Sequence, residues 1–355
     1  MKLALPQVYL GTMTFGWSSQ TSKIVDDSIA LEMVNRFITS NEQMGINSHL
    51  IDTARVYAGG NTEPMVGRAI SGAKSESGKI VLGTKAHPSV TPGLSPKGVR
   101  SQLETSLEEM KVPSVCEYYL HQPDTENSLL DSLKCANDLI KEGKIEKIGM
   151  SNYHATEVAR AFQLCQEHNL TPPSVYQGLY NPLNRLVEEE LLPLLKENGC
   201  SFVAYNPLAA GLLSGKHKGT TDFVAGRFLN NQNYIPRFYT EANFQAVELI
   251  KAQCEKDSLS MVEATYRWIL RHSALGEKDG LLIGASSMEQ LDQNLQACKA
   301  ASESDDLSPE LLGVFDECWE ITAPGAFPYW RSYSSDMPNR EALDQGASYS
   351  AAKTK

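Results

Sequence analysis

Eight short apolar runs, each followed by a longer stretch of helical periodicity, limit most strongly how this chain can fold. The runs lie at 8–11, 49–52, 80–84, 116–121, 145–150, 174–177, 201–205 and 280–284. Between them apolar residues recur at helical spacing, at about 29–44, 63–72, 95–110, 128–142, 155–168, 187–198, 241–256 with 261–272, and 288–300. Helix boundaries are readable in places: Ser128 followed by Asp131 offers an N-cap with an early acid, and Gly143 and Gly199 stand where two helices should stop. Strands that alternate with helices in this way form a parallel sheet, and eight of them can close into a (β/α)8 TIM barrel. A doubly wound open sheet competes, since alternation alone does not distinguish the two.

The chain has 355 residues, enough for one large barrel with long loops. We expect a single domain over 1–331 and a loosely ordered tail over 332–355, where apolar periodicity is lost. Pro172-Pro173 precedes a strand at once and so shapes a turn, not a linker. The segment 209–239, rich in Gly, Asn and aromatics, is too long for a passive connection and reads as a ligand clamp. Acids outnumber bases 43 to 32, without a block of like charges, so neither nucleic acid nor an anionic membrane is expected as a partner. The seven cysteines stand singly, with no Cys-x-x-Cys pair, which fits the cytoplasm and free thiols and gives no reason to expect a metal site. The first residues, MKLALPQVYLG, read as a first strand and not as a signal peptide.

In a closed parallel barrel the C-terminal strand ends build the active site. Here they carry Asp52, with Tyr57 five residues on, then Lys85, His121, Ser151-Asn152, Gln177 and Tyr205-Asn206. Taken singly, a lysine at a strand end is a solvated charge and a lone histidine a structural residue. Three neighbouring strands ending in acid, lysine and histidine make a set. A lysine ammonium beside a phenol favours the phenolate, an aspartate holds that lysine in place, and the phenol becomes a proton donor usable near neutral pH. His121 is suited to hydrogen-bond a carbonyl oxygen. Such parts suit carbonyl reduction, which requires a hydride. No Gly-x-Gly-x-x-Gly follows any strand, and GLLSGKH at 211–217 is one residue short of a P-loop and ends in His where Ser or Thr is needed.

The segments IDTARVYAGGNTEPMVG, LGTKAHP, YYLHQPD, IGMSNY, VYQGLYN and YNPLAAGLLSGK resemble, in order, the motifs of the aldo-keto reductase superfamily, over residues 8 to about 331. GRFLNN at 226–231, GASSMEQLDQNL at 284–295 and YWR at 329–331 are most similar to its aflatoxin-aldehyde (succinic semialdehyde) reductase branch. The resemblance implies an NADPH/NADP+-dependent reductase of small carbonyl substrates, with a homodimer among the expected assemblies. It assigns Asp52, Tyr57, Lys85 and His121 to the catalytic set, with Tyr57 as general acid and base. Ser151, Asn152 and Gln177 match residues that hold the nicotinamide carboxamide, and Tyr205 the ring that stacks on it. Asn206, Pro207, Leu208, Gly211, Leu213, Gly215, Lys216 and Arg227 match the pyrophosphate and adenosine clamp; Ser286, Gln290 and Asn294 match the adenine end. Met13, Trp17, Asn231, Tyr329 and Arg331, with His121, are expected at the substrate pocket, where Arg331 suits a carboxylate. Trp330 is a further candidate there. One departure concerns the cofactor's 2′-phosphate, because Ala285 and Gln290 stand where many members have Lys and Arg.

Three alternatives remain at this point: an aryl-alcohol dehydrogenase working in the oxidation direction, a Schiff-base lyase using Lys85, and a reductase-like regulatory subunit of a membrane channel. The aspartate next to Lys85 argues against the second, and the absence of an obvious docking segment against the third.

Overall fold

The structure is a computed structural model that describes residues 5–17, 21, 23–217, 219, 228 and 234–347. Its strands are β1 (Gln7–Gly11), β2 (Ser48–Asp52), β3 (Lys79–Ala86), β4 (Val115–Leu120), β5 (Ile145–Ser151), β6 (Val175–Leu179), β7 (Ser201–Tyr205) and β8 (Gly280–Gly284). They pair in parallel in chain order, and β8 returns to β1 with Tyr9 opposite Leu282, which closes the barrel. Closure excludes the open sheet and establishes the (β/α)8 architecture.

Side chains alternate across each strand, so every second residue points into the barrel. Tyr9, Leu50, Tyr119, Val175, Val203 and Leu282 form the inner core. Their neighbours, such as Leu10, Ile51, Tyr118, Ile148, Phe202 and Ile283, pack outward in a second, larger core beneath the helices. Burial on both faces is why these strands read as continuous apolar runs. Two inner tyrosines need space that only glycine leaves. A Cβ at Gly149 would lie 2.3 Å from the Tyr119 ring, and one at Gly280 would lie 2.6 Å from the Tyr9 ring.

The helices are α1 (Asp27–Gln43), α2 (Thr62–Gly72), α3 (Pro96–Met110), α4 (Leu129–Lys141), α5 (Ala155–Glu167), α6 (Leu191–Glu197), α7 (Ile235–Phe238), α8 (Glu241–Lys256), α9 (Met261–Arg267), α10 (Met288–Glu303) and α11 (Pro309–Thr322). Ser128 caps α4 through the Asp131 amide at 3.3 Å. Gly143 and Gly199 take the left-handed φ, at 71° and 65°, that ends a helix. The helix expected over 187–198 is shorter: a 3-10 turn at Leu186–Glu188 precedes α6. Pro193 has no N–H to donate back and fits only the first turn, so α6 starts just before it. The run expected over 261–272 leaves α9 for a π-turn at Trp268–His272. Helix α11 is absent from the periodicity described above, although Ser308-Pro309 begins it and Leu311, Phe315, Cys318 and Thr322 are its buried face.

Of the tail expected to be loose over 332–355, residues 348–355 lie outside the described residues, and 332–347 depart from the expectation. Far from loose, residues 332–347 form a strap against α4 and α5. The Ser334 amide donates to Glu157 Oε1 at 2.9 Å, and Asp336 accepts from the Leu129 amide (2.9 Å), Ser128 Oγ (2.9 Å) and Arg160 Nη2 (2.7 Å). Tyr333 and Ser334 are buried. Such contacts join residues about two hundred positions apart, which periodicity does not register.

Candidate active site

Asp52 ends β2, and its backbone is fixed by Thr12, whose amide and hydroxyl both donate to the Asp52 carbonyl at 3.0 and 2.9 Å. Lys85 lies on β3 with no solvent exposure. Its ammonium donates to both Asp52 carboxylate oxygens, at 2.7 and 2.6 Å, and to the Thr53 carbonyl at 2.7 Å. All three donors are thus satisfied, which a buried lysine requires. Burial pushes the Lys85 pKa down; Asp52, and behind it Glu117 and Glu63, pull against that shift. Gln177, mid-strand on β6, donates to Asp52 Oδ1 at 2.9 Å and ties the far side of the barrel to the pair.

Tyr57 opens a 3-10 turn in the loop after β2, where Ala58 and Gly59 adopt left-handed φ values of 47° and 63°. The loop is clamped beneath. Arg55 pairs with buried Glu63 at 2.6 Å, Thr84 donates to the same carboxylate at 2.6 Å, and Thr62 donates to the Phe15 carbonyl at 2.8 Å. The phenol ring therefore lies with its centroid 5.2 Å from Lys85 Nζ and 5.8 Å from the His121 ring, nearly edge-on. His121 follows β4. Its Nδ1 is buried without a hydrogen-bond partner among the described residues, and its ring meets that of His87 at 5.0 Å. Burial, reinforced by His87, Lys85 and Arg331, holds His121 well below the ordinary histidine range, so the imidazole is neutral. His87 is likewise pushed down, to about 4, by burial and by Arg331.

Asp52, Tyr57, His87, His121 and Gln177 border one cleft of about 1490 Å³ at the C-terminal ends of the strands. A pocket for one drug-sized ligand spans roughly 300–1,000 Å³, so the space suits a dinucleotide together with a small substrate. On the side of β5 to β7, Asn152 Nδ2 donates to the His121 carbonyl (2.8 Å) and to Ser151 Oγ (3.0 Å), while Tyr205 donates to Asn152 Oδ1 (2.9 Å). Asn152 thereby orients its neighbours as well as facing the cleft. Asn206, Pro207, Leu208, Gly211 and Lys216 border it in the loop after β7. There, Ala209, Ala210 and Gly211 take successive φ values of 47°, 57° and 105°. Non-glycine residues held left-handed are costly and collect at functional sites.

At the other end, the Ser286 amide and hydroxyl donate to Gln290 Oε1, at 2.9 and 3.2 Å, and Asn294 donates to the Gly284 carbonyl at 3.1 Å. All three border the cleft beside the N-terminus of α10. The polar rim near Tyr57, the aromatic wall of Tyr205, the strained loop and the helix start together fit an elongated dinucleotide.

Not every expected residue reaches the cleft. Leu213 is fully buried, and Gly215, at φ 74°, closes the 3-10 turn that contains it. Tyr329 turns away: its hydroxyl accepts the Ala155 amide at 3.1 Å at the start of α5, and its ring stacks on His154. Its role is packing, because the strap carries it outward. Arg227 and Asn231 lie outside the described residues. Met13, Trp17 and Arg331 do border the cleft. The Arg331 amide donates to the Asn152 carbonyl at 2.9 Å. Its guanidinium is pushed down to about 9 by burial and by Arg237, a second cleft-lining arginine. Sequence reasoning missed Arg237, the Arg55–Glu63 clamp and His87. Glu63 and His87 stand inside the quoted motifs, but no linear pattern shows which charges will meet. Among the described residues no group of three or more His, Cys, Asp or Glu could hold a metal ion, and no helix is long and apolar enough to cross a membrane.

A closed parallel barrel that buries a lysine–aspartate pair under a phenol, at the mouth of a dinucleotide-sized cleft, belongs to the class of oxidoreductases that act on carbonyl groups. Comparison with known proteins narrows the class. The chain belongs to the aldo/keto reductase family, whose model matches residues 7–309. Aflatoxin B1 aldehyde reductase member 2 of Rattus norvegicus is 37% identical to it over 338 residues, spanning 92% of this chain and 88% of the relative. The Homo sapiens protein of the same name is 38% identical over 293 residues, 79% of this chain and 80% of the relative. Aldo-keto reductase family 7 member A3 of Homo sapiens is 37% identical over 293 residues, 79% and 87% of the two chains.

Proposed function

We propose that the protein reduces aldehydes to alcohols with NADPH, and that Tyr57 supplies the proton to the carbonyl oxygen. The observation that carries this reading is the buried Lys85–Asp52 pair set 5.2 Å from the Tyr57 ring, with His121 bordering the same cleft. A neutral His121 donates an N–H to the substrate carbonyl and orients it. When bound, the nicotinamide supplies the hydride. As negative charge develops on the carbonyl oxygen, Tyr57 hands over its proton, and the phenolate left behind is stabilised by the Lys85 ammonium. Asp52 keeps that ammonium charged and aimed. In the reverse direction the same phenolate accepts the alcohol proton.

Ser151, Asn152 and Gln177 would hold the carboxamide end, with Tyr205 against the ring, and the 206–216 loop and the start of α10 would take the phosphates. Preference for NADPH rests on the relatives' branch and on Lys216 at the cleft, since Gln290 is folded onto Ser286 and offers no cation. A Schiff-base role for Lys85 is disfavoured, because its three donors are already engaged by Asp52 and Thr53. The test is oxidation of NADPH in the presence of benzaldehyde. Tyr57→Phe should lower kcat by about 10²–10⁴-fold while cofactor affinity, read by quenching of protein fluorescence, stays near the parent's. Full activity in Tyr57→Phe would sink the mechanism.

A further inference from the structure

Beneath Lys85 the barrel holds a second carboxylate that the mechanism above does not use. Glu117 is 3% exposed and points into the barrel on the same strand face as Tyr119 and His121. It accepts from Tyr119 Oη at 2.6 Å, from Tyr9 Oη at 3.2 Å and from Lys147 Nζ at 3.4 Å. The Tyr119 ring centroid in turn lies 5.5 Å from Lys85 Nζ, close to the separation of the Tyr57 ring from the same atom. The ammonium is thus flanked by two phenol rings, and one of them is hydrogen-bonded to a buried acid. A phenol that donates to a carboxylate carries a more electron-rich ring, which strengthens its attraction for a cation. Structure alone does not require this arrangement, for the rest of the inner core is Leu50, Val175, Val203 and Leu282. A buried carboxylate is costly where an apolar side chain would fill the space.

We propose that Glu117 is a positioning residue, which acts through Tyr119 and Lys85 to set the proton affinity of Tyr57 from the barrel floor. The proposal rests on the reading of Tyr57 as proton donor. Facing the carboxylate are Tyr9 on β1, Lys85 on β3, Tyr119 on its own strand and Lys147 on β5, with Cys116 adjacent in the chain, and Asp52 on β2 acts on the same two tyrosines. Around Lys85 itself stand Asp52, Glu63, Tyr57 and His121. A negative charge at Glu117 raises the proton affinity of every group above it. Its removal should therefore let the Tyr57 phenolate form at lower pH. Lys147, half-exposed at the opposite mouth of the barrel, offsets that charge, so its removal should act in the reverse sense.

The experiment compares Glu117→Gln, Lys147→Met and the parent in two ways. One is the pH profile of kcat with benzaldehyde. The other is the ultraviolet phenolate titration of Tyr57, obtained by subtracting each protein's Tyr57→Phe counterpart. In Glu117→Gln the alkaline limb and the titration should both move down by about half to one pH unit, and in Lys147→Met up by a few tenths. Cofactor affinity should be unchanged. Lys147→Met carries the test should Glu117→Gln fail to fold. A titration that stays put in the variants that fold, whatever their melting temperatures, overturns the proposal. Since absorbance reads Tyr57 whether or not it is the proton donor, an intact reaction in Tyr57→Phe would overturn the assigned mechanism and leave the floor's effect on Tyr57 separately decided.

Discussion

Asp52, Lys85 and Gln177 sit on three strands of the barrel, and both Lys85 and Gln177 donate to the Asp52 carboxylate within 2.9 Å. The opposite side of the same cleft is carried by chain without a sheet partner, in the loop over 206–216 and in the strap that brings in Arg331. On the first side these three polar groups are buried and locked by their neighbours, and the geometry is inherited from strand register. On the second, position depends on a few polar contacts made far along the chain, such as the Arg331 amide on the Asn152 carbonyl and Asp336 at the head of α4. On the proposed function, chemistry falls on the rigid side and ligand contacts on the side that loops can vary.

Breaking the strand-borne side should have the largest effect. Lys85→Met should cost about 10²–10⁴ in kcat by leaving the Tyr57 phenolate unsupported. Asp52→Ala strands a buried ammonium and should destabilise the protein by about 3–5 kcal/mol. Steady-state kinetics and thermal melting read the two. If both variants kept parental rates and stability, the contrast between the two sides of the rim would collapse.

The strap supplies the next test, through pH. Glu157 is buried beneath it, and burial pushes its carboxyl from 4.5 up to about 7, against the opposing effects of Ser334 and Arg160. A carboxyl whose folded pKa is raised contributes stability that is complete below its unfolded pKa and lost as pH rises through the folded value. The parent should therefore lose up to about 3 kcal/mol between pH 5 and 8 from this group, and Glu157→Gln should flatten the dependence of melting temperature on pH. Smaller still, Asp336→Ala should cost about 1–2 kcal/mol by leaving the Leu129 amide at the head of α4 and Arg160 without their acceptor. It should weaken substrate binding more than kcat, because the strap carries Arg331 and not the proton donor. A fall in kcat with KM unchanged would show that the strap reaches the chemistry.

Much of the strand-borne side is legible in the sequence. The runs at 201–205 and 280–284 coincide with β7 and β8, and Asp52, Tyr57 and His121 border one cleft with Lys85 buried against Asp52. Strand runs are local and uninterrupted, so composition marks them directly. Helix α11 is also marked locally, by Ser308-Pro309 and its buried spacing, but it lies beyond the eighth strand–helix repeat. Other features left no local trace. The order of the strap depends on Glu157 and Asp336 meeting partners 177 and 207 residues away. The outward turn of Tyr329 follows from a hydrogen bond to Ala155, 174 residues away. Glu117 looks in the sequence like an ordinary strand charge.

What the sequence determined alone is the list and order of the strands and the polar residues that end them, because side-chain alternation and apolar spacing are properties of neighbouring residues. Only the tertiary structure decided that β8 returns to β1, that Gln177 reaches Asp52 across 125 residues, and that a carboxylate lies under Lys85. The physical reason is that burial and Coulomb interactions depend on distance in space. Protonation at this site is therefore set by which charges the closed barrel gathers.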